Sequence, residues 1–178
     1  MKIRNIFILS IFWILTQDCY GQLQSVNQIW IDSLLSKMNL QEKIGQLFMV
    51  RAYGNNDTAH INTIYRLIVD KNIGGLCFFQ GNAQTQAELT RQYQSVSKIP
   101  LLVSIDAEWG LGMRLKQDGF YFPKQLTLGA IQDNKLIYQM GKQMAAQLKL
   151  LGIHLNFAPV LDINNNPNNP VINERSFG

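Results

Sequence analysis

The stretch "IDAEWGLGMR", Ile105 to Arg114, sets two carboxylates, an indole and a guanidinium close together in the chain. Asp106 and Glu108 can each accept from several donors, Arg114 can donate through a planar fork, and Trp109 offers an apolar face. That set suits a polyhydroxylated ring: the charged groups for its hydroxyls, the indole for its face. The alternative is a surface ion pair beside a half-buried tryptophan. Position favours the site. Leu101 to Ile105 is an apolar run that fits a parallel strand covered on both faces, so Asp106 falls at a strand end.

A second cluster is "APVLDINNNPNNPVINERSFG", Ala158 to Gly178. Asp162, Asn164 and Asn166 have the spacing that opens a calcium loop, but Pro167 stands at the glycine turn and Asn173 where the closing glutamate belongs. No metal site is expected. A stiff, proline-bearing loop that returns Arg175 to the strand ends is the better account, with Asp162 beside it. His154 lies in an apolar run and reads as a packed core histidine, and His60 has no partner nearby in sequence. There is no G-x-S-x-G, no phosphate-binding Walker loop and no Cys/His metal spacing. A Schiff-base lyase would want a lysine at a strand end, and none stands there.

These groups need elements to hold them. Ile29 to Met38 has helical apolar spacing, and "LQEKIGQLFMV" passes from a helical turn into an apolar strand, Leu47 to Val50, with Arg51 just beyond it. Ile61, Ile64, Leu67 and Ile68 mark an amphipathic helix, "GGLCFFQG" a strand ending at Gln80, and Ala83 to Ser97 a further helix. Asp133 is placed to cap a long helix whose apolar stripe runs from Leu136 to Leu151, with Gly152 to end it. "IHLNFAPVLDI" supplies the next strand, ending near Asp162. Strands alternating with helices imply an α/β fold with a parallel sheet, and every strand ends in a polar residue: Arg51, Gln80, Asp106 or Asp162. A (β/α)8 barrel builds its site at that end. About four strand–helix units are visible against the eight that close such a barrel, so the chain reads as its N-terminal half.

The composition is that of an ordinary globular chain, 47% hydrophobic and 16% charged, and its net charge of +4 comes without a basic run or an aromatic-basic stripe. Nucleic acid is excluded as a partner. Lys2 and Arg4 precede an apolar stretch from Ile6 to Leu15, the order of a secretory leader, too short for a stable membrane span. Small residues at Cys19 and Gly21 place cleavage after Gly21. A lipid anchor on Cys19 is disfavoured because Asp18 precedes it. The expected organisation is therefore a leader over 1–21, a helical lead-in over 22–39, and a partial barrel domain over 40–178, exported to the periplasm or beyond.

In order, "EKIGQLFMV", "GGLCFFQG", "SIDAEWG" with "MRL", "FAPVLDINNNPNNPVI" and "ERSFG" resemble the N-terminal barrel domain of glycoside hydrolase family 3, nearest its bacterial β-N-acetylglucosaminidases. The resemblance implies a retaining exo-glycosidase acting on an N-acetylglucosamine-terminated glycan such as a peptidoglycan fragment. It implies substrate-binding roles for Asp106, Arg114 and Arg175, with Glu108, Trp109 and Asp162 as candidate pocket-lining residues. No cofactor is implied. It also implies that the nucleophile and the acid/base group lie beyond Gly178, so that these residues need the other half of the barrel and have no activity by themselves. A family 3 β-glucosidase and a non-catalytic sugar-binding fragment are the alternatives. Trp109 and Leu111 depart from the glycines common in the subgroup, which leaves the sugar open.

Overall fold

The computed structural model describes residues 26–166 and 168–178. The leader expected over 1–21, Cys19 included, lies outside the described residues. The chain divides into two units, Met1–Met38 and Asn39–Gly178. In the first, helix α1 (Val26–Lys37) leaves Ile29, Trp30, Ile31 and Leu35 exposed.

The second unit opens with a short helix, α2 (Leu40–Gly45), started by a capping box: Asn39 Oδ1 accepts from Glu42 N, and Asn39 N donates to Glu42 Oε2, both at 2.9 Å. The N–H groups of Leu47 and Phe48 then close α2 on Ile44 O and Gly45 O. Strand β1 (Met49–Gly54) therefore starts two residues later than hydrophobicity suggests, and Arg51 lies inside it instead of beyond it. Helix α3 (Thr58–Lys71) begins where Asp57 accepts from Ala59 N and His60 N, and ends at Asn72, whose φ of 51° stops the helix. Strand β2 (Gly75–Gly81) leads through the cap Asn82 into α4 (Ala83–Val96), and β3 (Leu102–Ile105) follows.

The three strands and the last, β4 (Leu155–Asn156), form one parallel sheet in sequential order. Alternation along each strand sorts the side chains. Ala52, Leu76, Phe78, Val103 and Ile105 are wholly buried against Ile64 and Ile68 of α3 and Leu89 and Tyr93 of α4. The partners in register on the other face, Arg51, Cys77 and Ser104, belong to the side that a barrel encloses. There Ser104 Oγ lies 2.9 Å from Met49 Sδ and 3.1 Å from Leu76 O, with either acceptor in reach of its one proton. Parallel strands in sequence order with their helices packed on one face are the α/β barrel pattern, here with its first four strands.

Between β3 and β4 lie a short α5 (Gln125–Gly129) and the long α6 (Asn134–Leu150), which Asp133 caps through Lys135 N at 2.9 Å. Gly152, at φ 67°, turns the chain out of α6 as a side chain-bearing residue would resist doing. The apolar stripe of α6 is not buried: Ile137, Met140, Met144 and Leu148 line an open apolar pocket with Leu128 and Phe177.

Three expectations are corrected at the sheet edge. β4 pairs over two residues, because β3 alone flanks it among the described residues and Pro159, after a cis peptide bond, has no N–H to donate. His154 is exposed, not packed in the core: on this edge its Nδ1 accepts from Val103 N at 3.0 Å while its own N–H donates to Val103 O at 2.8 Å. Leu102 at the start of β3 is exposed, so that strand is covered on both faces only from Val103 onward.

Candidate functional site

Asp106 is the first residue past β3, and the turn it opens is fixed on both sides. Asn156 in β4 brackets Ala107, accepting from its N–H at 3.0 Å and donating to its carbonyl at 3.2 Å. Gly110, at φ 94°, turns the chain where a Cβ would lie 2.6 Å from Phe120 O, and the 3-10 turn Leu111–Met113 follows. Arg114 at its end folds back: Nε donates to Asp106 O and Nη2 to Asp106 Oδ2, both at 2.6 Å. The guanidinium also lies 4.5 Å from the centroid of the Phe79 ring at the end of β2. Asp106 Oδ1 has no hydrogen-bond partner among the described residues.

Glu108 points the other way, into the protein. Its side chain is 2% exposed, its N–H donates to Met113 Sδ, and its carbonyl accepts from Gln125 Nε2 at 3.3 Å. Its carboxylate meets Arg175, which comes from the 3-10 turn Asn173–Arg175. Arg175 Nε lies 3.1 and 3.0 Å from the two carboxylate oxygens, and Nη2 donates to Oε1 at 2.7 Å. Nη1 donates to Val171 O at 3.1 Å. The hydrogen bonds that Arg175 donates to the Glu108 carboxylate raise the pKa of the guanidinium above its ordinary value, with Asp106 and Asp162 adding to the effect at longer range.

The turn that carries Arg175 is itself tied down. Asn169 Oδ1 accepts from Val171 N at 2.9 Å, and Ser176 Oγ donates to Asp162 O at 2.8 Å. Lys124 Nζ bonds Glu174 Oε2 at 2.5 Å and stands 5.5 Å from the Trp109 ring centroid, linking the two loops a second time.

The structure thus brings Asp106, Arg114, Glu108 and Arg175 to one strand end and sets Trp109 beside them, half-buried. Asp162 meets the cluster only through its backbone and its charge; its side chain is exposed. His60 is elsewhere, with its ring 5.0 Å from that of Tyr53. Three contributors escape the sequence reading: Asn156, Gln125 and Lys124. Only Asn156 left a signal, a polar residue inside the apolar run "HLNFAPV". Among the described residues no group of three or more His, Cys, Asp or Glu side chains is placed to hold a metal ion. Nor is any helix long and apolar enough to cross a membrane.

A parallel α/β sheet with paired carboxylates and guanidiniums gathered at its C-terminal end defines a barrel-type chain with a polar strand-end site. Residues 39–178 match the glycosyl hydrolase family 3 N-terminal domain, and the chain belongs to that family. It is 38% identical over 130 residues to a β-hexosaminidase A of Pseudoalteromonas piscicida, covering 62% of this chain and 21% of that protein. It is 28% identical over 149 residues to a β-N-acetylglucosaminidase/β-glucosidase of Cellulomonas fimi, covering 84% and 26%. Among solved structures, a family 3 β-N-acetylglucosaminidase from Paenibacillus superposes with a TM-score of 0.68 at 36% identity, over 79% of this chain and 28% of that one. The chain therefore spans about a quarter of the length of each of these relatives.

Proposed function

We propose that the complete protein is a retaining exo-glycosidase that removes terminal β-N-acetylglucosamine from amino-sugar glycans such as peptidoglycan fragments. The observation that carries this reading is the strand-end cluster in a family 3 chain: Asp106 keeps a carboxylate oxygen without a partner among the described residues, and Arg175 lies near enough to feel its charge. Asp106 accepts from sugar hydroxyls, Arg175 donates to them, and Trp109 packs against the ring. Arg114 holds Asp106 and completes the substrate-binding pocket with it and Arg175. Retaining hydrolysis also needs a nucleophile and an acid/base group on either side of the scissile bond, and both come from the barrel beyond Gly178.

In the complete protein Asp106→Ala should lower kcat/KM on a chromogenic β-N-acetylglucosaminide about a hundredfold, the worth of a charged partner to hydroxyls. Wild-type turnover by a folded Asp106→Ala protein would refute the assignment. The relative that bears both activity names supports a second reading, a β-glucosidase. The ratio of kcat/KM on the two chromogenic sugars decides between them.

Export completes the proposal, with residues 1–21 as a leader removed after Gly21 and the barrel domain beginning at residue 40. N-terminal sequencing of the exported protein should start at Gln22. A chain that keeps Met1, or begins at a lipid-modified Cys19, would overturn it.

A further inference from the structure

The two ion pairs of the site are built in opposite senses. In one, Arg114 is the inner partner, 12% exposed, and Asp106 the outer, 28% exposed. In the other, Glu108 is the inner partner at 2% and Arg175 the outer at 34%. The surface facing solvent therefore offers one carboxylate and one guanidinium, each backed by a less exposed group of opposite charge. We infer that Glu108 is the positioning residue of Arg175 and makes no contact with substrate itself; the inference rests on the sugar-binding reading of this site.

The geometry explains the role. A guanidinium has five N–H donors in a rigid plane. Glu108 engages Nε–H and one Nη2–H of Arg175, and Val171 O engages one Nη1–H. That leaves one N–H on each terminal nitrogen without a partner among the described residues, at an orientation the carboxylate dictates. Glu108 is itself held through its main chain, by Met113 Sδ at its N–H and by the buried Gln125 at its carbonyl. Lys124, next to Gln125, bonds Glu174, next to Arg175, so the two loops are joined at adjacent residues on both sides. A flexible side chain is thereby turned into a fixed pair of donors, and the rotamer entropy that a substrate would otherwise have to remove is removed in folding.

The test uses the complete protein and the variants E108Q, R175K and E108Q/R175K. Glu108→Gln keeps the shape, removes the charge and turns an amide donor toward the guanidinium. On a chromogenic β-N-acetylglucosaminide E108Q should raise KM and lower kcat/KM about ten- to a hundredfold, the worth of a charge-assisted hydrogen bond. Adding it to R175K should cost at most about twofold more, because residues acting as one unit are not additive. A readout free of turnover is the rate at which phenylglyoxal modifies each arginine, followed by peptide mass spectrometry: Arg175 should react several-fold faster in E108Q, and Arg114 at its wild-type rate. Wild-type KM in E108Q, full additivity with R175K, or an unchanged Arg175 modification rate would each overturn the inference. If the wild-type protein turns over no chromogenic glycoside, the glycosidase reading fails, and the modification rates still decide the role of Glu108.

Discussion

Replacing Arg175 should harm the fold far more than its exposure suggests. Its side chain is 34% exposed, and a substitution at such a site ordinarily stays within about 0.5 kcal/mol. The carboxylate it bonds is 2% exposed, and Arg175 is the only described cation that bonds it. Arg175→Met retains volume and leaves that carboxylate buried without its partner, a change that costs about 3–5 kcal/mol in buried pairs. Arg175 is itself a third exposed, so the pair is not fully shut off from solvent and the lower end, about 3 kcal/mol, is expected here. For a domain of this size that is a fall of about 6–12 °C in its melting midpoint. Glu108→Met should cost less, about 1 kcal/mol, because the orphaned guanidinium can turn to solvent. The double variant should return to within about 1 kcal/mol of wild type, since replacing both members of a buried pair by apolar groups is nearly neutral. Calorimetry of the complete protein, following the transition of this domain, supplies all three numbers. A single Arg175→Met loss below about 0.5 kcal/mol, or a double variant no more stable than Arg175→Met, would refute the reasoning.

Two further outcomes follow from the core and the sheet edge. Asn156→Ala removes both bonds to the buried Ala107 backbone and should cost about 2–3 kcal/mol in denaturant unfolding, with a fall in kcat/KM as Asp106 loses its support; a loss under about 0.5 kcal/mol would show the bracket to be idle. Tyr93 is wholly buried with its hydroxyl unpartnered among the described residues, and burial pushes its pKa up to about 12. The folded state thus holds a proton that the unfolded state releases near pH 10, so stability is lost as pH rises through that window, and Tyr93→Phe should lessen this alkaline loss while matching or exceeding wild-type stability by about 1 kcal/mol at pH 7. Unfolding curves at pH 7 and about pH 11 check it, and an equal alkaline loss in the two proteins would count against the burial argument.

What the sequence discloses is what neighbouring residues decide among themselves. Asp133 bonds the N–H two positions ahead, so the start of α6 is legible from a single cap, and Asp57 and Asn82 start α3 and α4 in the same way. Strand limits are different, because pairing is a property of two segments. β1 begins late because α2 takes the N–H groups of Leu47 and Phe48, and β4 stops after two residues because β3 alone pairs with it among the described residues. The same division runs through the site. Asp106 and Arg114 share one loop and could be read as a pair from their spacing. Glu108 and Arg175 lie 67 residues apart, and nothing in either loop announces that one is the buried counter-charge of the other.

The loops that bear these two residues are brought together by the smallest piece of the sheet. Pairing of β3 with β4 is only Ser104 with Leu155 and Ile105 with Asn156, yet it seats Asn156 against Ala107, between Asp106 and Glu108. A slip of one residue in β4 would turn Asn156 to the opposite face and release Ala107, so both bonds would be lost together. The bracket therefore sets the register of the edge strand and the direction of both carboxylates at once. A polar residue in an apolar strand is unfavourable for packing unless its hydrogen bonds are specific, and the asparagine inside "HLNFAPV" falls at the point where sheet and site are joined.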